Sequence, residues 1–165
     1  MDFLHVNECV EWCREHGATI RDPWTLMPDP ALTSSPELLF APQGSIGREP
    51  EVADLCLAAL SGFDEVLIWV DDWGIWPSSE DWPRFYAARG ARGERHALEE
   101  KPGHLFAPTD HDDLRLFLLI VLEQGWDAHV LAWREGSLAP RIWLSHDGWA
   151  QLHALQLTAF ELSAA

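Results

Sequence analysis

Residues 66–77 read Val66-Leu67-Ile68-Trp69-Val70-Asp71-Asp72-Trp73-Gly74-Ile75-Trp76-Pro77, and the change halfway along this stretch decides the fold. Its first five residues form a continuous apolar run of β-prone side chains. Such a run marks a strand buried on both faces, so the sheet that holds it needs cover above and below. The strand ends on two carboxylates and a loop of Trp, Gly and Pro. Ser78 or Ser79, followed by Glu80 and Asp81, then reads as a helix N-terminus, and the helix it opens extends to about Ala88–Arg92.

Working outward toward the C-terminus, His104-Leu105-Phe106 is a short strand candidate. Thr109-Asp110-His111-Asp112-Asp113 caps a helix over Leu114–Gln124, which is apolar on nearly every side and therefore central. Segments 128–133 and 141–145 flank the turn Glu135-Gly136-Ser137 and predict a β-hairpin. A last amphipathic helix is expected over about 147–162. Toward the N-terminus, residues 2–16 carry Leu4/Val6, Cys9/Val10 and Cys13 at roughly helical spacing, with Gly17 as the stop. Pro23, Pro28, Pro30, Pro36 and Pro42 make 18–47 irregular, with a short strand near 38–40. A helix over about 50–61 follows, with Pro50 in its first turn. No repeat or domain boundary shows. The reading is one globular domain over 1–165, α+β or α/β. It has a mixed sheet of about four strands with a C-terminal hairpin, covered by about five helices.

Eleven Lys+Arg stand against 27 Asp+Glu in 165 residues, a formal charge of −16. A chain that grips nucleic acid through its phosphates needs the opposite sign, so direct nucleic-acid binding is excluded and a basic partner is favoured. Spread evenly over a surface of about 8,300 Å², the excess charges would stand farther apart than the ~8 Å Debye length. Only clustering produces a useful field. The sequence does cluster, at Asp71-Asp72, Glu80-Asp81, Glu99-Glu100 and Asp110, Asp112, Asp113. Three Cys form no disulfide framework, the N-terminus lacks a signal-peptide pattern, and the strongest apolar run is too short to cross a membrane. A reducing cytoplasm is the expected setting.

Ten Trp in 165 residues is the most unusual count. Trp69 and Trp143 belong to the core. Trp73, Trp76 and Trp82 instead interleave with Asp71, Asp72, Glu80 and Asp81, a mixture that suits a recognition surface with aromatic anchors, or a self-packed loop over the sheet end. His5, Cys9, Cys13 and His16 resemble metal ligands, but His5 and Cys13 lie about 12 Å apart along one helix, too far to share an ion. Buried thiols fit better. The His-Asp pair at 111–112 is explained by helix capping. Ser145-His146-Asp147-Gly148 is not a triad, because consecutive side chains do not converge, and Ser145 reads as a helix cap. Asp71, His104, His129 and His146 all fall near strand positions and define an alternative general-base or metal-assisted site. Arg84, Arg89, Arg92 and Arg95 suit a helix C-terminus with carboxylate partners. No phosphate loop, dinucleotide fingerprint or nucleophile elbow is present, and no cofactor or metal is expected.

The stretches Trp73-Gly-Ile-Trp-Pro-Ser-Ser-Glu-Asp-Trp82, Gly103-His-Leu-Phe106, Gly125-Trp-Asp-Ala-His-Val-Leu131 and Ser145-His-Asp-Gly-Trp149 resemble segments of small uncharacterised bacterial proteins. In size, acidity and aromatic content the chain is similar to cytoplasmic immunity proteins of bacterial toxin systems. That resemblance implies a non-catalytic acidic binding protein. It would neutralise a basic partner, a toxin or a nucleic-acid-acting enzyme, by occluding its cleft, and it carries over no catalytic residue. Asp71, Asp72, Trp73, Trp76, Glu80, Asp81 and Trp82 are the expected contact residues. The alternatives are a small hydrolase using Asp71, His104, His129 and His146, and an acidic DNA mimic.

Overall fold

A computed structural model describes residues 1–18, 37–39, 48–72, 82–146 and 149–153. The apolar run is the middle of strand β3 (Glu65–Asp72), and its two faces point into two separate cores. Val66, Ile68 and Val70 face one, and Leu67 and Trp69 the other. Around β3 lie β1 (Asp2–Leu4), β2 (Glu37–Leu39), β4 (Gly103–Phe106), β5 (Asp127–Arg134), β6 (Ser137–Ser145) and β7 (Trp149–His153). They form one seven-stranded sheet in the order β1-β4-β3-β5-β6-β7-β2. Every pairing among these strands is antiparallel, so the expected mixed sheet of about four strands is corrected to an antiparallel one of seven, and the class is α+β.

Four α-helices belong to the described residues: α1 (Val6–Glu15), α2 (Glu49–Ala59), α3 (Pro83–Ala91) and α4 (His111–Gln124). Helix α4 buries Leu114 and every residue from Phe117 to Leu122, which confirms its central place. It packs with Val52, Ala53 and Cys56 of α2 and Phe85 of α3 over one sheet face. Helix α1 covers the other face through Cys9, Val10, Trp12 and Cys13. At Gly103 the two layers come close together. A Cβ placed there would lie 2.3 Å from Cys9 Sγ and 2.9 Å from Leu4 Cβ, so only glycine lets α1 sit this near to β4. Among the described residues, no helix is long and apolar enough to cross a membrane.

Several expectations are corrected. Residues 2–4 are an edge strand rather than the first turn of a helix: they pair with β4 in the register Phe3↔His104, and α1 starts only at Val6. The helix expected from 147 is contradicted by β7. Ala150 and Leu152 are buried with half-buried Gln151 between them, a period of two, and the strand pairs with β6 on one side and β2 on the other. Ala, Gln and Leu favour helix in isolation, and the ladder overrides that preference. Ser145 consequently ends a strand and caps no helix. Helix α4 begins at His111, and its N-cap residue Asp110 makes no side-chain cap bond; that carboxylate accepts the Ala107 N–H instead. The hairpin, the strands at 38–40, 66–70 and 104–106, and the helices near 50–61 and 114–124 all lie where expected, to within a few residues.

Candidate functional site

The register collects acidic residues at one end of the sheet. Strand β3 reaches that end at Asp71-Asp72, and Asp72 stands opposite Asp127, the first residue of β5. Strand β4 starts there too, because Gly103 pairs with Trp69, and the Val70 N–H donates to Pro102 O at 3.2 Å. The segment just before β4 carries Glu99 and Glu100, both exposed. Strand β1 runs to the same end, with Leu4 opposite Gly103, and hands over to His5 and α1. His5 Nδ1 lies 2.8 Å from Glu100 O, and the His5 N–H donates to Glu8 Oε2 at 2.6 Å. Glu8, Glu11 and Glu15 then follow along the exposed side of α1 at helical spacing. Asp71, Asp72, Asp127, Glu8, Glu99 and Glu100 thus come from four chain segments to one end. Lys101, also there, is tied to Glu94 at 3.2 Å, and Arg95 is exposed on the same loop.

Cations elsewhere are largely committed to carboxylates. Arg84 pairs with Glu123, Arg92 with Asp113, Arg115 with Asp54 at 2.7 Å and Arg48 with Glu51 at 3.4 Å. The surplus of negative charge therefore stands at the surface. Arg89 differs. It is fully buried, and its guanidinium donates to Lys101 O, His96 O and His104 while lying 4.9 Å from the Phe3 ring and 5.1 Å from that of Phe85. This buried arginine fastens the 92–102 loop to α3.

Of the expected contact residues, Trp73, Trp76, Glu80 and Asp81 lie outside the described residues. Asp71 is exposed at the strand end, and Asp72 closes β3. Trp82 is half-buried. Its ring meets Trp126 at 4.8 Å and Phe85 at 6.4 Å, its indole N–H is buried, and it stacks on exposed Tyr86 at 6.3 Å. Trp82 thus belongs in part to the core, where it packs against Trp126, the residue just before β5 at the acidic end of the sheet. Trp69 is buried as expected, whereas Trp143 is only half-buried.

The four alternative catalytic residues do not share one place. His104 lies on the opposite sheet face, fully buried against Phe3, Phe85 and Phe117. Burial first, and then the Arg89 charge, push its pKa down to about 3. Its Nε2 accepts from Arg89 at 2.9 Å, so it is a neutral structural acceptor. Asp71 and His129 do come together, with Oδ2 3.9 Å from Nε2. Burial holds His129 down to about 4, so it is neutral near pH 7, a weak base, and its attraction to the Asp71 carboxylate is correspondingly small. His146 pairs with Asp127 instead, through its N–H at 2.6 Å and its Nδ1 at 2.8 Å. Among the described residues, no group of three or more His, Cys, Asp or Glu is placed to hold a metal ion. Cys9, Cys13 and Cys56 are buried free thiols, and His16 stacks on Trp12 at 4.1 Å.

Sequence reasoning missed Asp127 and the Glu8, Glu11, Glu15 stripe. The i, i+3, i+7 spacing of that stripe was available to find it. Asp127 joins the group only through strand register, which no local pattern encodes. No protein-family model matches the chain, and no curated protein or solved structure matches it.

Proposed function

We propose that this chain is a non-catalytic acidic binding protein of the immunity or inhibitor type, which neutralises a basic protein partner by covering its cleft. The observation that carries this reading is the gathering of Asp71, Asp72, Asp127, Glu8, Glu99 and Glu100 at one end of the sheet. Six carboxylates drawn from several segments make a field that persists within a Debye length, which the same charges spread evenly would not. Such a field steers a cationic surface into contact and sets its orientation. Trp73 and Trp76, which follow Asp72 in the sequence, and Trp82 supply anchors in this reading. Three buried free thiols suit a reducing compartment.

The separation of His104 from Asp71 and His129 by the thickness of the sheet favours binding over the hydrolase alternative. The test compares the wild-type chain with Glu99→Lys/Glu100→Lys as immobilised bait in lysate of the source cell, washed at about 50 mM and then about 500 mM salt. One basic protein held near stoichiometry by the wild type, released by salt and absent from the variant supports the reading. Identical retention by both baits overturns it. No retention, combined with turnover of a hydrolase substrate that is lost in His129→Gln, favours the alternative.

A further inference from the structure

The loop that carries Glu99 and Glu100 also brings two histidines from distant parts of the chain together. His5 precedes α1 and His96 lies in the turn after α3, yet their rings are 6.1 Å apart, centre to centre, at 69°. Both rings are exposed, and the His96 side chain is 52% accessible. Each has its Nδ1 committed to an oxygen that can only accept. His5 Nδ1 lies 2.8 Å from the Glu100 carbonyl, and His96 Nδ1 lies 2.6 Å from Glu94 Oε1. An imidazole whose Nδ1–H is donated in this way carries its lone pair on Nε2. A carbonyl or carboxylate behind the distal nitrogen is the supporting arrangement that orients metal-binding histidines and raises their basicity. Here the arrangement occurs twice, on neighbouring rings.

The spacing suits a shared ion. A metal about 2.0–2.1 Å from Nε2 stands roughly 3.2 Å from the ring centre, so two rings can reach one ion when their centres are no more than about 6.4 Å apart. The observed 6.1 Å falls inside that limit. A tetrahedral angle would draw the centres together by about 1 Å.

We propose that His5 and His96 form a two-histidine site for a borderline-soft divalent ion, Zn²⁺ in the first instance, through their Nε2 atoms. Water fills the remaining positions. The charged groups around the pair are mostly acidic: Glu8 on the His5 N–H, Glu94 behind His96, and Glu99 and Glu100 on the connecting loop. Lys101 is held on Glu94 Oε2 at 3.2 Å and neutralises that carboxylate in part. Glu94 also accepts the Arg95 and His96 N–H groups at 2.6 and 2.7 Å, which fixes the turn that presents His96. Imidazole donors select Zn²⁺, Cu²⁺ or Ni²⁺ over Mg²⁺ or Ca²⁺, which prefer oxygen. The site stands on these two side chains and does not depend on the partner-binding reading.

Calorimetric titration of Zn²⁺ into untagged protein, with Mg²⁺ as a parallel titrant, tests this. The expected result is one saturable Zn²⁺ per chain and no Mg²⁺ heat above dilution. His96→Ala and His5→Ala should each weaken binding by more than the roughly 10–100-fold that loss of an outer partner costs, and the double variant should bind at least as weakly as either. His5→Ala removes the residue before α1, so its circular dichroism is checked first. His96 lies in an exposed turn and gives the result on its own if that helix frays. Zn²⁺ affinity unchanged in His96→Ala, or no saturable Zn²⁺ binding by the wild type, overturns the proposal.

Discussion

Replacing Gly103 with alanine tests how closely α1 is docked on the sheet. The added Cβ would stand 2.3 Å from Cys9 Sγ, 2.9 Å from Leu4 Cβ and 3.3 Å from Leu4 O. Ordinary non-bonded contacts lie at about 3.5–4.0 Å, so α1 must back away by about 1 Å or more. Neither obstacle is the free end of a long side chain: Cys9 is fully buried on α1, and Leu4 is in the paired edge strand. Overpacking of this kind costs about 1–3 kcal/mol, and two simultaneous contacts place Gly103→Ala at the upper end. At ~2–4 °C per kcal/mol for a chain of this size, the midpoint should fall by roughly 6–12 °C. Cys9→Ala alone should cost about 1 kcal/mol through its small cavity. In the double variant the sulfur contact is gone and only the Leu4 contact remains, so the two changes should offset each other by about 1–2 kcal/mol. Urea unfolding of the four proteins in a double-mutant cycle measures this. Gly103→Ala within about 0.5 kcal/mol of wild type, or strict additivity in the cycle, would refute the close-approach argument.

Three further outcomes follow from the same geometry. His104 and His129 are held neutral, at about 3 and about 4, by burial, whereas an unfolded imidazole titrates near about 6.5. Their contribution is complete above pH ~6.5 and drains as pH falls toward 4 and 3, on the order of 1–2 kcal/mol per imidazole by about pH 5. Burial pushes the Glu94 carboxyl up, but bonds from His96, Lys101 and Arg95 outweigh it and hold the group down to about 2. Its contribution is present above the ordinary 4.5 and is lost between 4.5 and 2. Denaturant melts across this range should show stability falling in both windows, and a flat profile from about pH 7 to about pH 5 would contradict the burial of both rings. Burial also pushes the thiols of Cys13 and Cys56 up to about 12, and that of Cys9 higher still. A chromogenic disulfide should therefore label none of the three in the native chain and all of them in denaturant. Gly125 ends α4 in the left-handed region, with φ 63°. Gly125→Ala should cost about 1 kcal/mol in a thermal melt, and an unchanged or raised midpoint would argue against that cap.

The parts of the fold that could be read in advance share one property: local sequence fixes both their period and their environment. Val66–Val70 has cover on both faces and reads as an unbroken apolar run. Helix α4 is buried nearly all round and reads the same way at helical length. The edge strand β1 was harder. It has three residues, too few to show a period, and it exists because β4 offers it a ladder. Helix-favouring residues at 149–153 concealed β7 for the same reason. At the candidate site, the Asp71-Asp72 pair was visible as a charge run at the end of a strong strand. The addition of Asp127, Glu100 and Glu8 depends on register and on one histidine–carbonyl contact, both tertiary facts. His104 misled because a strand position says nothing about which face the side chain takes. Here it faces Arg89 and three phenylalanines.

The central claim is that one end of this sheet, and not net charge alone, recognises a basic partner. Two variants of equal charge separate these possibilities. Glu99→Lys/Glu100→Lys alters the acidic end, while Asp112→Lys/Glu135→Lys alters exposed residues that follow the other ends of β4 and β5. The measurement is the dissociation constant of each for the basic protein retained by the wild type, at physiological salt and with folding checked by circular dichroism. The account predicts a loss of at least about tenfold, some 1.4 kcal/mol, for the Glu99/Glu100 pair and little change for the Asp112/Glu135 pair. Equal losses in both would show that net charge, not this end of the sheet, does the binding.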